Sequence, residues 1–389
     1  MALQQRASAW LAWPASGKRK MNRYLQIYRI ILKTFGFRLR PIGTFALKQA
    51  HSVVNAATLA ADHLWSPSFT RQPIDRPVFI LGNPRSGTTF LHRFLLHTDS
   101  LAAFELWEML FPAITARRTI GPFVDRLAPL SPARYHSAAA HETSLRDVET
   151  DDALALFRFV DGAFLWTYFL AWQDHWGSES ARALFELDQD SAENIERHFH
   201  YMEGCWRRNL LVKNKSRIAV KASSYTLRIK TLLHRYPDCK LLYVVRDPVE
   251  TIPSGMSMIT GVLEQSYDVF HSTREQDRKR YLDNLYQASC YLFRYFHEVW
   301  KQGAIPEKNL LIVRYPQLMA DLESTMRDIV DFLEIEPPTQ FRTRVQQQAI
   351  VQRQRKSPHT YSLEKFGLTA EKIRSDLAFV IDDFDLACP

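Results

Sequence analysis

A short apolar run that passes directly into a glycine-containing turn and then a helical pattern constrains the fold of this chain more than any other feature. The run extends from Pro77 to Gly82 and has the length and residue types of a buried strand. The turn reads NPRSGTT over residues 83–89, and apolar residues follow it at helical spacing, namely Phe90, Leu91, Phe94 and Leu95. The sequence therefore predicts a buried strand, a tight turn and the start of a helix.

This turn is suited to binding an anionic group. In a strand–turn–helix arrangement the backbone N–H groups converge on the anion, and the helix dipole favours negative charge. Gly82 and Gly87 allow the backbone to turn tightly, and Thr88 and Thr89 supply hydroxyl donors at the first helical turn. Arg85 adds a cation within the turn itself.

The spacing of the two glycines resembles that of a nucleotide-binding Walker A loop, with one important difference. A Walker A loop has lysine directly after its second glycine, and this chain has Thr88 there. The later apolar run that ends at Val245 is followed by Arg246, and an aspartate that could bind magnesium, Asp247, comes one position later. A magnesium-dependent small-molecule kinase is therefore kept as an alternative.

Similar apolar runs recur along the chain and predict further buried strands. They are Arg217 to Lys221, Lys240 to Val245 and Asn309 to Val313. Helical patterns separate several of them, over residues 225–235, 276–302 and 321–334. Strands that alternate with helices are typical of a parallel sheet covered on both faces. We therefore predict an α/β fold, with a P-loop-like parallel sheet, helices on both faces and an N-terminal helical extension.

Basic residues are concentrated at the start of the chain. The formal net charge is +8, yet no acidic residue precedes Asp62, and the first 61 residues hold ten basic ones. This segment therefore carries +10 and the remainder −2. Such asymmetry indicates an anionic partner or a membrane surface.

Residues 22–35 predict an amphipathic helix within this basic segment. Its apolar side consists of Tyr24, Ile27, Tyr28, Ile31 and Phe35. One interpretation is an interfacial anchor that contacts anionic lipid through residues 18–40, and the other is a helix that packs on the rest of the protein through the same side. No apolar run reaches the ~18 residues of a membrane span. We expect a cytoplasmic protein, with peripheral membrane contact as one alternative.

The chain has four cysteines, namely Cys205, Cys239, Cys290 and Cys388. Their spacing is not that of a metal site, and they are too few for a disulfide framework. We expect free or buried thiols in a reducing compartment, and no bound metal.

Two separate motifs resemble the phosphate-binding segments of the sulfotransferase superfamily, especially its bacterial-type branch. PRSGTTFL, within the turn, resembles the family's loop for a 5′-phosphosulfate, and LLYVVRDPVETIPSG from Leu241 to Gly255 is similar to its 3′-phosphate segment. VKASSYTLRIKTLLHRYPD, VRYPQLMADLESTMRDIVDFLEIEP and HTYSLEKFGLT resemble further segments of this branch, so the likeness covers about residues 77–370. It implies a basic helical N-terminal extension over 1–75 and a sulfotransferase catalytic domain over 76–389.

The resemblance implies a donor site for 3′-phosphoadenosine 5′-phosphosulfate, used as a co-substrate without a metal. The expected donor-binding residues are Arg85, Ser86, Gly87, Thr88 and Thr89 for the 5′ end, Arg246 and Ser254 for the 3′-phosphate, and Arg355 and Lys356 as a further basic clasp. Arg246 could instead be a strand-end arginine paired to Asp247 or Glu250. The basic cluster at Arg353 to Lys356 could equally be a solvated charge run.

The resemblance also implies catalytic roles. Arg85 lies where the family has a cation that stabilises charge on the leaving group, and Lys221 resembles a lysine that contacts the sulfuryl oxygens. Animal cytosolic members have a catalytic histidine two positions after that lysine, where this chain has Ser223. The base that accepts the acceptor's proton must then come from elsewhere.

Three residues are candidates for that base. We favour Glu108, followed by His141 and then Glu149, and each could instead be a structural hydrogen-bonding group. Asp151 and Asp152 are interpreted as a charged helix start.

Aromatic residues are dense between positions 157 and 176, where they could line an acceptor pocket or form core beneath a lid. They are Phe157, Phe159, Phe164, Trp166, Tyr168, Phe169, Trp172 and Trp176. We expect a small-molecule, lipid or carbohydrate acceptor and no nucleic-acid partner. Besides the kinase, a further alternative is an inactive scaffold of the same fold that binds sulfated or phosphorylated polymers, and the absent histidine at Ser223 is the feature that supports it.

Overall fold

A computed structural model describes residues 13–130, 144–159, 162–354 and 362–386 of the chain. Its centre is a five-stranded, fully parallel sheet with the strand order β2-β3-β1-β4-β5. The strands are β1 (Val78–Leu81), β2 (Leu101–Ala102), β3 (Arg217–Lys221), β4 (Lys240–Val245) and β5 (Leu310–Arg314). The four predicted strands are all present, and the predicted α/β class is confirmed.

Helices connect these strands and extend the chain at both ends. In the first half they are α1 (Trp13–Phe35), α2 (Arg40–Trp65), α3 (Thr88–Leu95), α4 (Leu106–Leu110), α5 (Ile114–Ile120), α6 (Asp152–Phe159), α7 (Ala163–Tyr168), α8 (Glu179–Phe185) and α9 (Ala192–Lys213). In the second half they are α10 (Ile229–Arg235), α11 (Pro248–Tyr267), α12 (Val269–Ser272), α13 (Glu275–Lys301), α14 (Tyr315–Ala320), α15 (Leu322–Leu333), α16 (Thr339–Gln354), α17 (Ala370–Asp376) and α18 (Ala378–Asp383).

Short 3₁₀ helices fill several of the connections. They are Pro67–Arg71, Leu96–Thr98, Gly121–Leu130, Leu170–Trp172, Leu187–Gln189, Ser223–Arg228, Glu307–Asn309 and Glu364–Phe366. Within the described ranges, no helix combines the length and the apolar composition that crossing a bilayer requires.

The two faces of the sheet are buried in two different apolar clusters, because successive side chains of a strand point to opposite faces. Val78 and Ile80 of β1 pack in the smaller cluster with residues of α3 and α15. Phe79 and Leu81 pack in the larger cluster with residues of α9 and α13. All four side chains are fully buried. Helices therefore cover both faces, as the sequence predicts.

Helix α1 packs against the larger cluster through one end of its apolar side. Ile31 and Phe35 are buried there, and the Phe35 ring stacks on Tyr267 at 4.5 Å and meets Trp172 edge-on at 5.1 Å. For the C-terminal half of α1, the structure therefore agrees with the interpretation that this helix packs on the rest of the protein. The division of the chain at residue 75 stays a prediction.

A buried carboxylate, Asp62, is among the groups that hold helix α2 to the body of the protein. Asp62 accepts hydrogen bonds from the N–H groups of Ile114 (2.9 Å) and Thr115 (2.8 Å), at the start of α5. Asp62 also pairs with Arg208 of α9, whose Nε lies 2.7 Å from Oδ2, and both charged side chains are almost fully buried. A buried ion pair that is broken on one side is costly, so this contact fixes α2 in place.

Candidate active site

The predicted anion-binding turn has the backbone geometry that only glycine tolerates at two positions. Gly82 has φ +131°, and a Cβ atom there would lie 2.4 Å from the carbonyl oxygen of Val244 in β4. Gly87 has φ +98° and is the N-cap of α3, and its Cβ would meet the Tyr315 ring at 2.8 Å. The turn therefore lies tightly between β4 and the residue that follows β5.

Hydrogen bonds to neighbouring elements fix the turn. Ser86 Oγ donates to the carbonyl of Asn83 at 2.7 Å, and Asn83 Nδ2 donates to the carbonyl of Ser289 in α13 at 2.9 Å. The N–H of Gly82 donates to Thr226 Oγ1 at 3.2 Å. Thr88 and Thr89 follow in the first turn of α3, where backbone N–H groups have no intrahelical acceptor.

The two phosphate-binding motifs of the sequence meet in space. Arg85 Nε donates to Ser254 Oγ at 3.0 Å, and Arg246 Nη1 donates to the carbonyl of Arg85 at 3.3 Å. Arg85 itself has φ +75°, an uncommon conformation for a residue with a side chain. The turn after β1 and the N-terminal part of α11 thus form one basic surface.

Arg246 is also held by two further contacts. Its guanidinium lies over the Tyr315 ring at 4.3 Å, and its Nε donates to Glu250 Oε2 at 2.8 Å. The pairing with Glu250 that the sequence analysis considers is therefore present. It uses part of the guanidinium's five donors, and the Glu250 side chain is 55% exposed, so an anion can still approach Arg246.

Lys221, at the end of β3, brings a third cation to the turn. Its Nζ donates to Thr89 Oγ1 at 2.8 Å, and burial lowers the pKa of this lysine. Glu149 Oε2 lies 4.0 Å from the same Nζ. Glu149 Oε1 accepts from Arg93 Nη2 of α3 at 3.3 Å. A carboxylate therefore stands next to the cation that contacts the anion-binding turn.

Glu108 has different surroundings. It closes a capping box at the start of α4, where its Oε2 accepts from the N–H of Glu105 at 2.8 Å. The same oxygen accepts from Lys213 Nζ at 2.8 Å, and Oε1 lies 3.3 Å from Arg117 Nη1. The Glu108 side chain is only 6% exposed. Both of its oxygens are used in contacts that hold α4, α5 and α9 together, so its surroundings are those of a structural group.

Asp151 and Asp152 are both buried and organise the segment after β3, and Asp152 begins α6, in line with the helix start expected from the sequence. Asp151 Oδ2 accepts from the N–H of Lys221 at 3.1 Å, and burial raises the pKa of Asp151 to about 8. Asp152 accepts from the N–H of Ser223 at 2.9 Å and from the Ser224 hydroxyl. Burial raises the pKa of Asp152 as well. The sequence analysis misses this role, although two adjacent acids before an apolar helix are its visible signal.

Some predicted site residues lie outside the described residues. They are His141, Arg355 and Lys356. Cys205, Cys239 and Cys290 are buried free thiols, and Cys388 also lies outside the described ranges. Burial raises the pKa of Cys205 to about 11, which keeps this thiol protonated.

The structure brings one trio of metal-ligand types together, which the sequence spacing does not reveal. Ligand atoms of Glu264, Asp268 and His271 lie within 4.8 Å of one another at the end of α11. Asp268 and His271 are exposed, and exposed acidic groups of this kind are common without a metal. The trio therefore carries no functional argument.

Two cavities adjoin the turn and the N-terminal helices. The first, here called the loop cavity, is lined by residues of the turn, of the segment after β3, and of α7, α11 and α13, including Asn83, Pro84, Phe164, Ser223 and Ser224. The second, here called the N-terminal cavity, lies between α1, α2, α6, α7 and the end of α11 and has a volume of about 500 Å³.

The aromatic segment divides between core and cavity lining. Trp166 and Trp172 are fully buried in the larger apolar cluster. Phe164, Tyr168 and Phe169 line the N-terminal cavity. The core interpretation therefore holds for Trp166 and Trp172, and the acceptor pocket stays a prediction.

The turn contains glycine, lies between a buried strand and a helix, and has cations beside it from two neighbouring strand ends. These features are those of a P-loop-like α/β protein that binds phosphate or sulfate groups. The chain belongs to the sulfotransferase family, because the model described as "Sulfotransferase family" matches residues 77–339, more than half of its length. This match confirms the resemblance to the sulfotransferase superfamily that the two motifs indicate.

Curated relatives and solved structures agree with this membership. The chain is 21% identical over 267 residues to omega-hydroxy-beta-dihydromenaquinone-9 sulfotransferase Stf3 of Mycobacterium bovis, and equally to that of Mycobacterium tuberculosis. The match covers 67% of this chain and 63% of the relative's length.

Two mycobacterial crystal structures share the fold. Sulfotransferase STF1 from Mycobacterium tuberculosis aligns with a TM-score of 0.65 and 17% identity, over 93% of this chain and 92% of that one. Sulfotransferase STF9 from Mycobacterium avium aligns with a TM-score of 0.64 and 18% identity, over 85% and 82% of the two chains.

Proposed function

We propose that this protein transfers a sulfuryl group from 3′-phosphoadenosine 5′-phosphosulfate to a hydroxyl or amine of a small, apolar acceptor. One observation carries the proposal. Two motifs that lie far apart in the sequence meet through the Arg85–Ser254 hydrogen bond and the Arg246 contact with the Arg85 carbonyl. A donor with phosphate groups at both ends of its ribose needs cations from two such places.

The residues present fit this donor. Residues 86–89 offer backbone N–H groups and two threonine hydroxyls to its 5′ end, as helix N-termini do for other phosphates. Arg246 and Ser254 offer a planar fork and a hydroxyl to its 3′-phosphate. Arg355 and Lys356 stay predicted donor-binding residues, because their basic cluster resembles the basic C-terminal segment of the family.

In the proposed reaction the acceptor oxygen or nitrogen forms a bond to sulfur while the bond from sulfur to the 5′-phosphate oxygen breaks. Arg85 stabilises the charge that develops on the departing phosphate oxygen. Lys221, which already contacts Thr89 of the turn, neutralises the sulfuryl oxygens. Adenosine 3′,5′-bisphosphate leaves with the bonding electron pair, and the acceptor's proton passes to a carboxylate.

We infer that Glu149 is that carboxylate, rather than Glu108, which the sequence analysis favours. Glu149 lies 4.0 Å from Lys221 Nζ, beside the turn. Glu108 is committed to Lys213, Arg117 and its own helix start. His141 stays a prediction from the sequence. A base must reach the proton that it removes, so proximity to the turn supports Glu149 over Glu108.

The proposed acceptor is a small molecule or lipid. The loop cavity adjoins the turn at Asn83 and Pro84 and combines apolar side chains with the hydroxyls of Ser223 and Ser224. Such a mixture suits an apolar molecule that presents one polar group. The name of the Stf3 relatives gives an omega-hydroxy menaquinone derivative as their acceptor, which supports an apolar acceptor here.

Transfer of label from the sulfur-labelled donor to hexadecanol, a phenol and an alkyl glucoside tests the proposal, with EDTA present to remove magnesium. We expect a labelled organic product with wild-type protein and a loss of about 10²- to 10³-fold in rate in Arg85→Ala. Phosphate transfer from magnesium-ATP instead would support the kinase alternative. Binding of sulfated or phosphorylated polymers without any transfer would support the inactive scaffold.

A further inference from the structure

The N-terminal cavity has the size and lining of a ligand site that the donor chemistry does not use. Its volume of about 500 Å³ lies within the range of small-molecule pockets, roughly 300–1,000 Å³. Its lining is mainly apolar and aromatic, with Ile27, Tyr28 and Ile31 from α1 and Leu165 and Tyr168 from α7. The apolar side of α1 therefore packs at the edge of the larger apolar cluster and also lines this cavity.

The charged groups that line this cavity are basic. Among the residues that the structure describes, its charged lining residues are Arg38 and Lys48, and none is an aspartate or glutamate. Lys48 is half-buried, and desolvation lowers its pKa. Within the described ranges no carboxylate pairs with Lys48. This lining suits a neutral or weakly anionic apolar molecule better than a cationic one.

The cavity is adjacent to the proposed reaction site. Phe164 of α7 lines both the N-terminal cavity and the loop cavity, so this ring and its short helix separate the two spaces. The loop cavity in turn reaches Asn83 and Pro84, directly before Arg85. A molecule whose hydroxyl occupies the loop cavity would extend its other end past Phe164 into the N-terminal cavity.

The cavity also opens on the outer surface of the N-terminal helices. Leu25 of α1 and Ile42 of α2 line it, and each is nevertheless 47% exposed. An apolar chain can therefore approach the cavity from outside along apolar side chains.

We propose that the N-terminal cavity holds the hydrocarbon chain of the acceptor, which we assign to the class of alcohols with a long, flexible apolar chain. The assignment rests on the proposed sulfuryl transfer, because the hydroxyl end must lie in the loop cavity. Helices α1 and α2 then form the acceptor-binding part of the enzyme, in addition to their packing on the sheet domain. Each methylene buried in such a cavity improves affinity by roughly fourfold, so affinity rises steeply with chain length.

Two leucines of α1 provide a matched pair of variants. Leu25 lines the cavity and is 47% exposed, whereas Leu32 is 43% exposed and does not line it. A tryptophan at either position adds the same bulk to the same helix at similar exposure. Only Leu25→Trp narrows the cavity.

The test is binding of cis-parinaric acid, a polyene fatty acid whose fluorescence rises in apolar surroundings, with octanol, dodecanol and hexadecanol as competitors. We expect the wild type and Leu32→Trp to bind the probe with equal affinity. In both proteins, hexadecanol should displace the probe at a far lower alcohol concentration than octanol does. Leu25→Trp should bind the probe at least about tenfold more weakly, a difference of about 1.4 kcal/mol.

Absence of probe binding in the wild type, equal affinities of Leu25→Trp and Leu32→Trp, or equal competition by octanol and hexadecanol would each overturn the proposal. Thermal stabilisation by adenosine 3′,5′-bisphosphate is measured on the same three proteins. If the bisphosphate stabilises the wild type and any of these negative results is found, the assignment of the cavity to an acceptor chain is wrong, and the proposed sulfuryl transfer is unaffected. If the bisphosphate does not stabilise the wild type, the proposed function itself is contradicted.

Discussion

Two glutamates with the same chemistry have different neighbours, from which we propose different roles. Glu108 is surrounded by Lys213, Arg117 and a helix N-terminus, so its negative charge is neutralised by the fold. Glu149 shares Lys221 with the anion-binding turn. Glu149 also pairs with Arg93, so what distinguishes it from Glu108 is its position beside the turn.

Substitution of each glutamate by glutamine separates these roles. Glu149→Gln should reduce kcat by roughly 10²- to 10⁴-fold, because it removes the proton acceptor. Glu108→Gln should instead lower the free energy of unfolding by about 3–5 kcal/mol, because it leaves Arg117 and Lys213 without their counter-charge in a buried cluster. Urea unfolding and labelled sulfuryl transfer measure the two effects. Full activity of Glu149→Gln with unchanged pH dependence would rule out Glu149 as the base.

The buried carboxyl of Asp151 makes stability depend on pH in a defined direction. Its pKa in the folded protein is raised to about 8 from an ordinary 3.8, so the unfolded chain releases this proton at lower pH. The stability linked to protonation of Asp151 is therefore fully present below about pH 4 and is lost as pH rises towards 8, by at most about 1.4 kcal/mol per pH unit.

Asp151→Asn should reduce this loss, because an amide keeps the shape of the side chain and does not ionise. Urea unfolding of the wild type and the variant at several pH values between 4 and 8 gives the comparison. A difference in free energy of unfolding that stays constant across this range would show that Asp151 does not titrate there.

At the scale of single residues, the sequence predicts where the cations beside the turn lie, but not the contacts that Glu108 and Glu149 make. Arg85, Lys221 and Arg246 each lie next to a recognisable strand end, so their positions follow from the α/β pattern. The neighbours of Glu108 and Glu149 come from segments distant in sequence, namely α5 and α9 for one and β3 for the other. No local pattern encodes such contacts.

At the scale of elements, the strand–turn–helix unit depends on the absence of one side chain. The carbonyl of Val244 in β4 occupies the space where any Cβ at position 82 would lie. Because Gly82 also has φ +131°, a substitution adds backbone strain to the collision.

Gly82→Ala should therefore displace the turn, weaken donor binding and lower the free energy of unfolding by roughly 1–3 kcal/mol or more. Gly303→Ala is the control, because Gly303 also has positive φ, +66°, but a Cβ there meets nothing within 4 Å. Thermal unfolding with and without adenosine 3′,5′-bisphosphate measures both effects. Equal behaviour of the two variants would mean that the close approach to Val244 is not needed.

Two elements that are not predicted from the sequence have different physical causes. Strand β2 has only two residues and is paired to β3 alone, so it leaves no pattern of its own. Helix α11 contains Pro253, which removes a backbone donor and hides the helical pattern. By contrast, the predicted strands 217–221 and 240–245 match β3 and β4 at both ends, because buried strands of a parallel sheet are continuously apolar.

At the scale of the whole molecule, exposed apolar side chains are concentrated on the first two helices. Examples on or next to α2 are Leu39, Leu47, Val53, Leu64 and Trp65, each more than 60% exposed. The same segment carries the excess of basic residues. Apolar side chains next to cations are suited to the surface of an anionic membrane.

We therefore predict that the protein floats with phosphatidylglycerol vesicles in a density gradient, and less so at high salt, because screening weakens the attraction. Leu47→Asp should reduce flotation. Ile350→Asp should not, since Ile350 is 58% exposed but lies on α16. Wild-type protein that stays at the bottom of the gradient would contradict membrane contact.

The central claim is that the turn at residues 83–89 and the pair Arg246 and Ser254 together bind a 3′-phosphoadenosine donor. The most direct measurement is a magnesium-free thermal shift with adenosine 3′,5′-bisphosphate, compared with magnesium-ATP, on the wild type, Arg85→Ala and Arg246→Ala. We expect the bisphosphate, at ~100 times its dissociation constant, to stabilise the wild type by about 2.7 kcal/mol and to stabilise both variants less. Stabilisation by magnesium-ATP alone, with none by the bisphosphate, would contradict it.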